Sequence, residues 1–289
     1  MNNIQDFIVF SKMFRTFKVD DLLFAEFKCP VEESRDNIWC NNNFFAFILT
    51  GETLIKSARH EYPMLAGECV FAKKGSIIIE SPYQEDFCEM LIFVPDEFIK
   101  SVILKYELKI DQQHTEPGDS IFPFGTDSVL QAYFYSLLSY FNQPKPPPAS
   151  LLKLKFEELI IHILSSNKYN RLRSYFGEIS KSNKPSIKQI MEDNYMFNLS
   201  LPEFARLCAR SLSSFKTDFK QIFDATPGRW LQAKRLEHSR YLLESTNGTL
   251  DDIYLNSGFK NKSHFTREFK NKFGCTPGKY QSQVSSIKK

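Results

Sequence analysis

Between residues 22 and 94 the apolar side chains come in short runs. Leu23–Lys28, Phe44–Leu49, Thr53–Ser57, Cys69–Ala72, Ile77–Glu80 and Cys88–Val94 are continuous or alternate with polar residues, and Gly51, Pro63, Gly67, Gly75 and Pro82 punctuate them. Period-two runs separated by turn residues predict strands, and their close spacing favours an antiparallel sandwich or barrel. The period then lengthens. Pro95–Leu108, Thr126–Phe141 and Ser150–Ser165 read as helices, the first capped by Asp96 or a neighbour. The second ends at a stiff break, Gln143-Pro-Lys-Pro-Pro-Pro148. In the third, Leu151, Leu154, Lys155, Glu158, Ile161 and Ser165 follow one line, while Leu152, Phe156, Leu159, Ile160, Ile163 and Leu164 follow another. A helix apolar over so much of its circumference is buried on more than one side, either within one subunit or against a partner.

The last third of the chain repeats itself. Phe215, Phe219 and Phe223 precede Thr226-Pro227-Gly228-Arg229-Trp230, and fifty positions on Phe265, Phe269 and Phe273 precede Thr276-Pro277-Gly278-Lys279-Tyr280. Phenylalanine at i, i+4 and i+8 is one stripe of a helix, and each helix stops before a proline that cannot continue it. Before each lies a shorter apolar helix, Leu201–Ser211 and Leu250–Phe259, and a tight turn. The upstream offset is 49, so one turn carries an extra residue. Helix, turn, helix, found twice and joined by a helix over Trp230–Glu244, suits an object that repeats about every 34 Å, as the major groove does. We divide the chain into a first domain over 1–170, a linker over 171–185 and a second domain over 186–285, with Ser186 capping the first helix of that domain.

Charge supports that division. The net +3 hides an asymmetry: residues 181–289 hold 19 Lys+Arg against 10 Asp+Glu, and residues 1–180 hold 18 against 24. Polyanion binding therefore belongs to the last third. With 42% hydrophobic residues and no apolar run of about 18, nothing predicts a membrane span or a secretory leader, so the expected location is cytoplasmic. The six cysteines are scattered and read as reduced thiols. His60, His114, His162, His238 and His264 are not closely paired, and no phosphate loop, dinucleotide loop or nucleophile elbow is present. The expectation is a non-enzyme without metal or cofactor.

If the phenylalanine stripes face inward, the outward residues are the readers. In the first helix Phe215, Phe219, Ile222 and Phe223 point in, leaving Ser213, Lys216, Thr217 and Lys220 outside. In the second, Lys262, Ser263, Thr266, Arg267 and Lys270 lie outside. Arg267 and Lys262 are the candidates for a guanine O6/N7 pair; Lys220 and Lys270, a turn later, for phosphates. Ser211 and Ser263 are candidates for phosphate through hydroxyl or helix N-terminal amides.

Ser211-x-x-x-Phe215-x-x-x-Phe219, Thr226-Pro227, Arg235-Leu236, Leu242-Leu243, Ile253, Gly258-Phe259 and Ser263-x-Phe265-x-Arg267-x-Phe269-Lys270-x-x-Phe273-Gly274-x-Thr276-Pro277 resemble the AraC/XylS transcriptional regulators over about residues 187–283. The resemblance implies specific binding to promoter DNA, usually as an activator in contact with RNA polymerase. Three departures stand out. Thr217 occupies a place the family often gives to arginine, which weakens discrimination by the first unit. Ala209 replaces a turn glycine, with strain of order 1 kcal/mol if that site is left-handed. Tyr254 replaces a small alanine. Phe71-Ala-Lys-Lys-Gly-Ser-Ile-Ile78 and Leu154-Lys-Phe-Glu-Glu-Leu-Ile-Ile161 are similar to the branch that includes activators of type III secretion, whose first domain binds protein partners, itself included.

The resulting fold class is α+β: an N-terminal cupin-like antiparallel β-barrel or sandwich with helices, then an all-α double helix-turn-helix domain. The expected partners are double-stranded promoter DNA, RNA polymerase, a second copy through the N-terminal domain, and a small-molecule or protein effector. Trp39, Phe45, Phe47 and Phe71 either line an effector pocket or form core. The competing reading is a sensor or interaction protein that has lost specific DNA binding.

Overall fold

The computed structural model describes residues 2–11, 13–110, 120–181, 184–246 and 248–287. The chain forms two compact units, Met1–Pro185 and Ser186–Lys289. The first contains β1 (Asn2–Asn3), α1 (Ile4–Phe10), β2 (Phe14–Val19), β3 (Leu22–Val31), β4 (Ser34–Cys40), β5 (Asn43–Thr50), β6 (Glu52–Lys56), β7 (Glu61–Leu65), β8 (Glu68–Ala72), β9 (Gly75–Ser81) and β10 (Gln84–Val94). It continues with α2 (Asp96–Lys105), β11 (Ile121–Gly125), α3 (Ser128–Phe141), α4 (Ala149–Ser165), a 3-10 turn and α5 (Asn170–Lys181).

Two sheets result. Five strands run in the order β1-β4-β9-β6-β7 and six in the order β11-β8-β5-β10-β3-β2. All pairs are antiparallel except β1 beside β4. The continuous apolar runs lie in the six-stranded sheet because both its faces are covered. On one face Phe87, Leu91 and Phe93 of β10 meet Ile55, Met64 and Ile77 of the other sheet. On the opposite face Met90, Ile92 and Val94 join a core with residues of α2 to α5. Phe24 stacks on Phe156 at 3.9 Å and Phe47 on Phe134 at 4.2 Å. Phe45, Phe47 and Phe71 belong to this sheet-to-helix core, and Trp39 is likewise buried. The aromatics weighed as pocket lining are therefore core.

Glu89 shares a face of β10 with Phe87 and Leu91, opposite Phe27 on one neighbour and Ile48 on the other. Burial among them pushes its carboxyl up to about 7.

Other expectations need revision. The cap of α2 is Pro95, with no side-chain bond. Asp96 instead accepts from buried Asn43 at 2.7 Å and pairs with Lys74. Asn43 in turn accepts from the Lys74 amide at 3.1 Å and the Tyr175 hydroxyl at 3.0 Å. Tyr175 lies on α5, so most of the segment expected to link the domains is a helix of the first unit. Leu172, Phe176 and Ile179 bury it in that core. Of the expected linker only its end, 182–185, follows this helix; Ser182 and Asn183 lie outside the described residues, as does His114. On α4 the line Leu152, Phe156, Leu159, Ile160, Ile163 and Leu164 is buried, whereas Leu154 is 54% exposed. Leu154 and Ile161 line an open groove with Tyr106, Glu157 and His162. Lys105 and Tyr106 both donate to Glu157, at 2.8 and 2.6 Å.

The second unit contains α6 (Ile187–Asn194), α7 (Leu201–Leu207), α8 (Leu212–Phe223), α9 (Pro227–Ser245), α10 (Leu250–Asn256), α11 (Lys262–Phe273) and α12 (Pro277–Ile287). Ser186 caps α6 by accepting from the Gln189 amide at 3.3 Å. Among the described residues no helix is long and apolar enough to cross a membrane, and no cluster of His, Cys, Asp or Glu is fit to hold a metal.

Candidate nucleic-acid interface

Each helix-turn-helix unit is built with matching local chemistry. The first helix opens on a capping box, Ser200 with Glu203 in one unit and Thr249 with Asp252 in the other. The turn that follows needs a left-handed residue, Ala209 at φ 51° and Gly258 at φ 83°. The reading helix is then capped by Ser211 or by Asn261, and ends on a left-handed residue, Asp224 or Gly274. Pro227 and Pro277 open the next helices, α9 and α12.

The phenylalanine stripes face inward. Phe215, Phe219, Phe265 and Phe269 are at most 1% exposed. Phe219 meets Phe223 at 4.4 Å and Trp230 at 6.0 Å; Phe269 meets Phe273 at 4.5 Å and Tyr280 at 5.6 Å. One aromatic seam thus occurs twice, fifty residues apart. Ile222 is the exception: at 52% exposure it lies outside the seam where the sequence placed it inside. Tyr254 fits half-buried beside Phe265.

The nineteen residues of α9 bridge the two units, about 28 Å at 1.5 Å each. Arg235 fastens the bridge. Its guanidinium donates to the carbonyls of Tyr195 at 2.7 Å and Phe197 at 2.8 Å, and burial lowers its pKa to about 10. It also lies close under the second turn, where a Cβ added to Gly258 would come 2.9 Å from its Nε.

The outward faces carry the proposed readers, but in different states. In α8, Ser213, Lys216, Thr217 and Lys220 are exposed. Lys216 and Lys220 line an open groove together with Thr226, Pro227 and Gly228 at the start of α9. The Thr217 hydroxyl donates to the Ser213 carbonyl at 3.1 Å. Ser211 uses its Oγ as the cap, accepting from the Ser214 amide at 3.2 Å. In α11, Lys262, Ser263, Arg267 and Lys270 are exposed, and Thr266 is half-buried with its hydroxyl on the Lys262 carbonyl at 2.9 Å. Lys262 pairs with Asp251 of α10 at 2.8 Å. Arg267 donates from Nε to Glu268 at 3.0 Å. The acids of this face, Asp251 and Glu268, were not singled out from the sequence, where each reads as one more solvated carboxylate.

Comparison with known proteins follows the same division. Residues 43–175 match the model of the ExsA N-terminal regulatory domain, and residues 204–283 match a helix-turn-helix domain model. The virulence regulon transcriptional activator VirF of Yersinia enterocolitica is 24% identical over 263 residues, covering 89% of this chain and 92% of the relative. The HTH-type transcriptional regulator ExsA of Pseudomonas aeruginosa is 23% identical over 236 residues, 80% of this chain and 83% of its own. Among solved structures, apo ToxT of Vibrio cholerae aligns over 93% of this chain and 100% of its own, at a TM-score of 0.45 and 12% identity. The duplicated helix-turn-helix unit and the regulatory domain before it thus reproduce the organisation found in the Yersinia and Pseudomonas transcriptional regulators, with an AraC-type helix-turn-helix domain following an ExsA-like N-terminal domain.

Proposed function

We propose that this regulator is an activator that sets α8 and α11 into successive major grooves of promoter DNA, in the cytoplasm and in contact with RNA polymerase. The observation that carries the reading is the repeated seam: two helices with buried phenylalanines and outward cations, joined by one bridging helix. Arg267 is assigned to a guanine edge, with Ser213, Lys216, Thr217, Ser263 and Thr266 on the groove walls. Lys220 and Lys270, with Ser211, are assigned to phosphates. Lys262 is assigned to a guanine edge beside Arg267; its exposed ion pair with Asp251 is weak enough to give way to that contact. The activator sense follows the name carried by the Yersinia relative.

The first domain is assigned to regulation and to pairing with a second copy through α4, whose exposed Leu154 lines an open groove with the half-buried Ile161. Pairing would multiply affinity for tandem or inverted sites by effective concentration.

Gel shifts against genomic fragments at rising salt test the DNA reading. A specific reader keeps one preferred fragment after salt has removed bulk binding, since only the phosphate part is released with counterions. Equal retreat from every fragment supports an interaction protein that no longer reads sequence.

A further inference from the structure

Between α9 and the reading face of α11 lies a short polar chain. Gln232 of α9 donates from Nε2 to Glu268 Oε2 at 2.6 Å. The other oxygen of Glu268 accepts from Arg267 Nε at 3.0 Å. Glu268 is the more buried end of that pair, its side chain 19% exposed against 67% for Arg267. His264 comes to 3.9 Å of the same oxygen, and no other ion pair to Glu268 is found among the described residues.

The consequence lies in which nitrogen is used. An arginine reads guanine with a planar fork, two N–H groups against O6 and N7. A free arginine on a helix surface must give up several rotamers to do so. Here Nε donates to Glu268, a carboxylate itself bonded from the bridging helix, and that bond restricts the rotamers of the guanidinium. The terminal nitrogens are left for the groove. In α8 the cations Lys216 and Lys220 have no such carboxylate among the described residues; Asp218 is bound by Arg210 at 2.8 Å.

The geometry points to Glu268 as a positioning residue that sets the sequence specificity of the second reading helix by buttressing Arg267, with Gln232 as its anchor. The acid lowers affinity for DNA at large by its charge and raises discrimination by holding the fork in reading position. Preorganisation of this kind favours the correct base over any phosphate, because a phosphate accepts a loose cation equally well. This inference rests on the assignment of Arg267 to a base edge.

The test measures affinity of the full chain for its preferred fragment and for random DNA, at several salt concentrations, for wild type, Glu268→Gln, Gln232→Leu, Arg267→Ala and Arg267→Ala/Glu268→Gln. Glu192→Gln, which removes an acid of α6 paired with Lys234 of α9, is the charge-matched control. Glu268→Gln is expected to bind random DNA more tightly and to lose discrimination by roughly five- to tenfold, about the loss of 1 kcal/mol or a little more. Gln232→Leu should lose part of it with the charge unchanged. In the Arg267→Ala background the same Glu268→Gln change should no longer alter discrimination. Equal effects of Glu268→Gln and Glu192→Gln, or an undiminished effect without Arg267, overturn the inference while leaving the preferred fragment intact. A wild type with no preferred fragment overturns the reading-helix assignment itself, and the inference with it.

Discussion

The two turns offer a reciprocal experiment. Ala209 and Gly258 occupy the same place, 49 residues apart, and both are left-handed, with φ 51° and 83°. A Cβ in that conformation costs about 1–2 kcal/mol. Replacing Ala209 by glycine removes that strain and adds about 0.4–1 kcal/mol of unfolded-chain entropy, so a net gain of about 0.5–1 kcal/mol is expected. At Gly258 the reverse change meets the strain and a collision as well. The new Cβ would lie 2.5 Å from the Met196 carbonyl oxygen and 2.9 Å from Arg235 Nε. Neither neighbour moves freely: one is backbone, and Arg235 is held by the carbonyls of Tyr195 and Phe197. A cost of about 3 kcal/mol follows. The chain has two tryptophans, Trp39 and Trp230, so Trp39→Phe leaves Trp230 as sole reporter of the helical unit. Urea titration by its fluorescence should give a raised midpoint for Ala209→Gly and a much lowered one for Gly258→Ala. A lowered midpoint for the first, or none of the expected loss for the second, refutes the left-handed turn and its packing.

Three further outcomes follow from the same packing. Phe269→Ala, which empties the centre of the second seam, should destabilise the helical unit by about 3–5 kcal/mol, read by the same titration. The apolar neighbours of Glu89 disfavour its charged form, so its contribution is complete below its ordinary value of 4.5 and is lost as pH rises through about 7. Glu89→Gln should therefore stabilise the first unit by about 1–2 kcal/mol at pH 8 and change little at pH 4, measured by thermal unfolding at both; the reverse order refutes its placement. Leu154→Glu should turn a dimer into a monomer in sedimentation of the full chain at micromolar concentration, and a wild type that is already monomeric there refutes pairing through α4.

What could be read from the sequence depended on how fully an element is buried. The six central strands were legible because β5, β8 and β10 are apolar on both faces. β2, β4 and β7 passed unnoticed because most of their residues are exposed or half-buried, so no continuous or strictly alternating apolar run marks them. α5 was taken for linker because its stretch of Asn, Arg, Ser and Gly dilutes the residues that bury it, Leu172, Phe176 and Ile179. In the helical unit the seams stood out through strict i, i+4, i+8 spacing. Ile222 was misplaced because α8 packs along one narrow line, and the next position round already faces solvent. The proposed readers on α8 and α11 followed by elimination, as the faces the seams leave free. Their electrostatic states did not: Lys262 meets Asp251 across a turn, and Glu268 is anchored from 36 positions upstream. Such pairings are properties of the folded helices, with no periodic trace in the chain.

The central claim, two reading heads acting together from one chain, is met most directly by guanine-N7 methylation interference on the preferred fragment. The account predicts two patches of interference about one helical turn apart on one face of the duplex, with Arg267→Ala erasing one and Lys216→Ala weakening the other. A single patch, or two that rise and fall together under both substitutions, contradicts it.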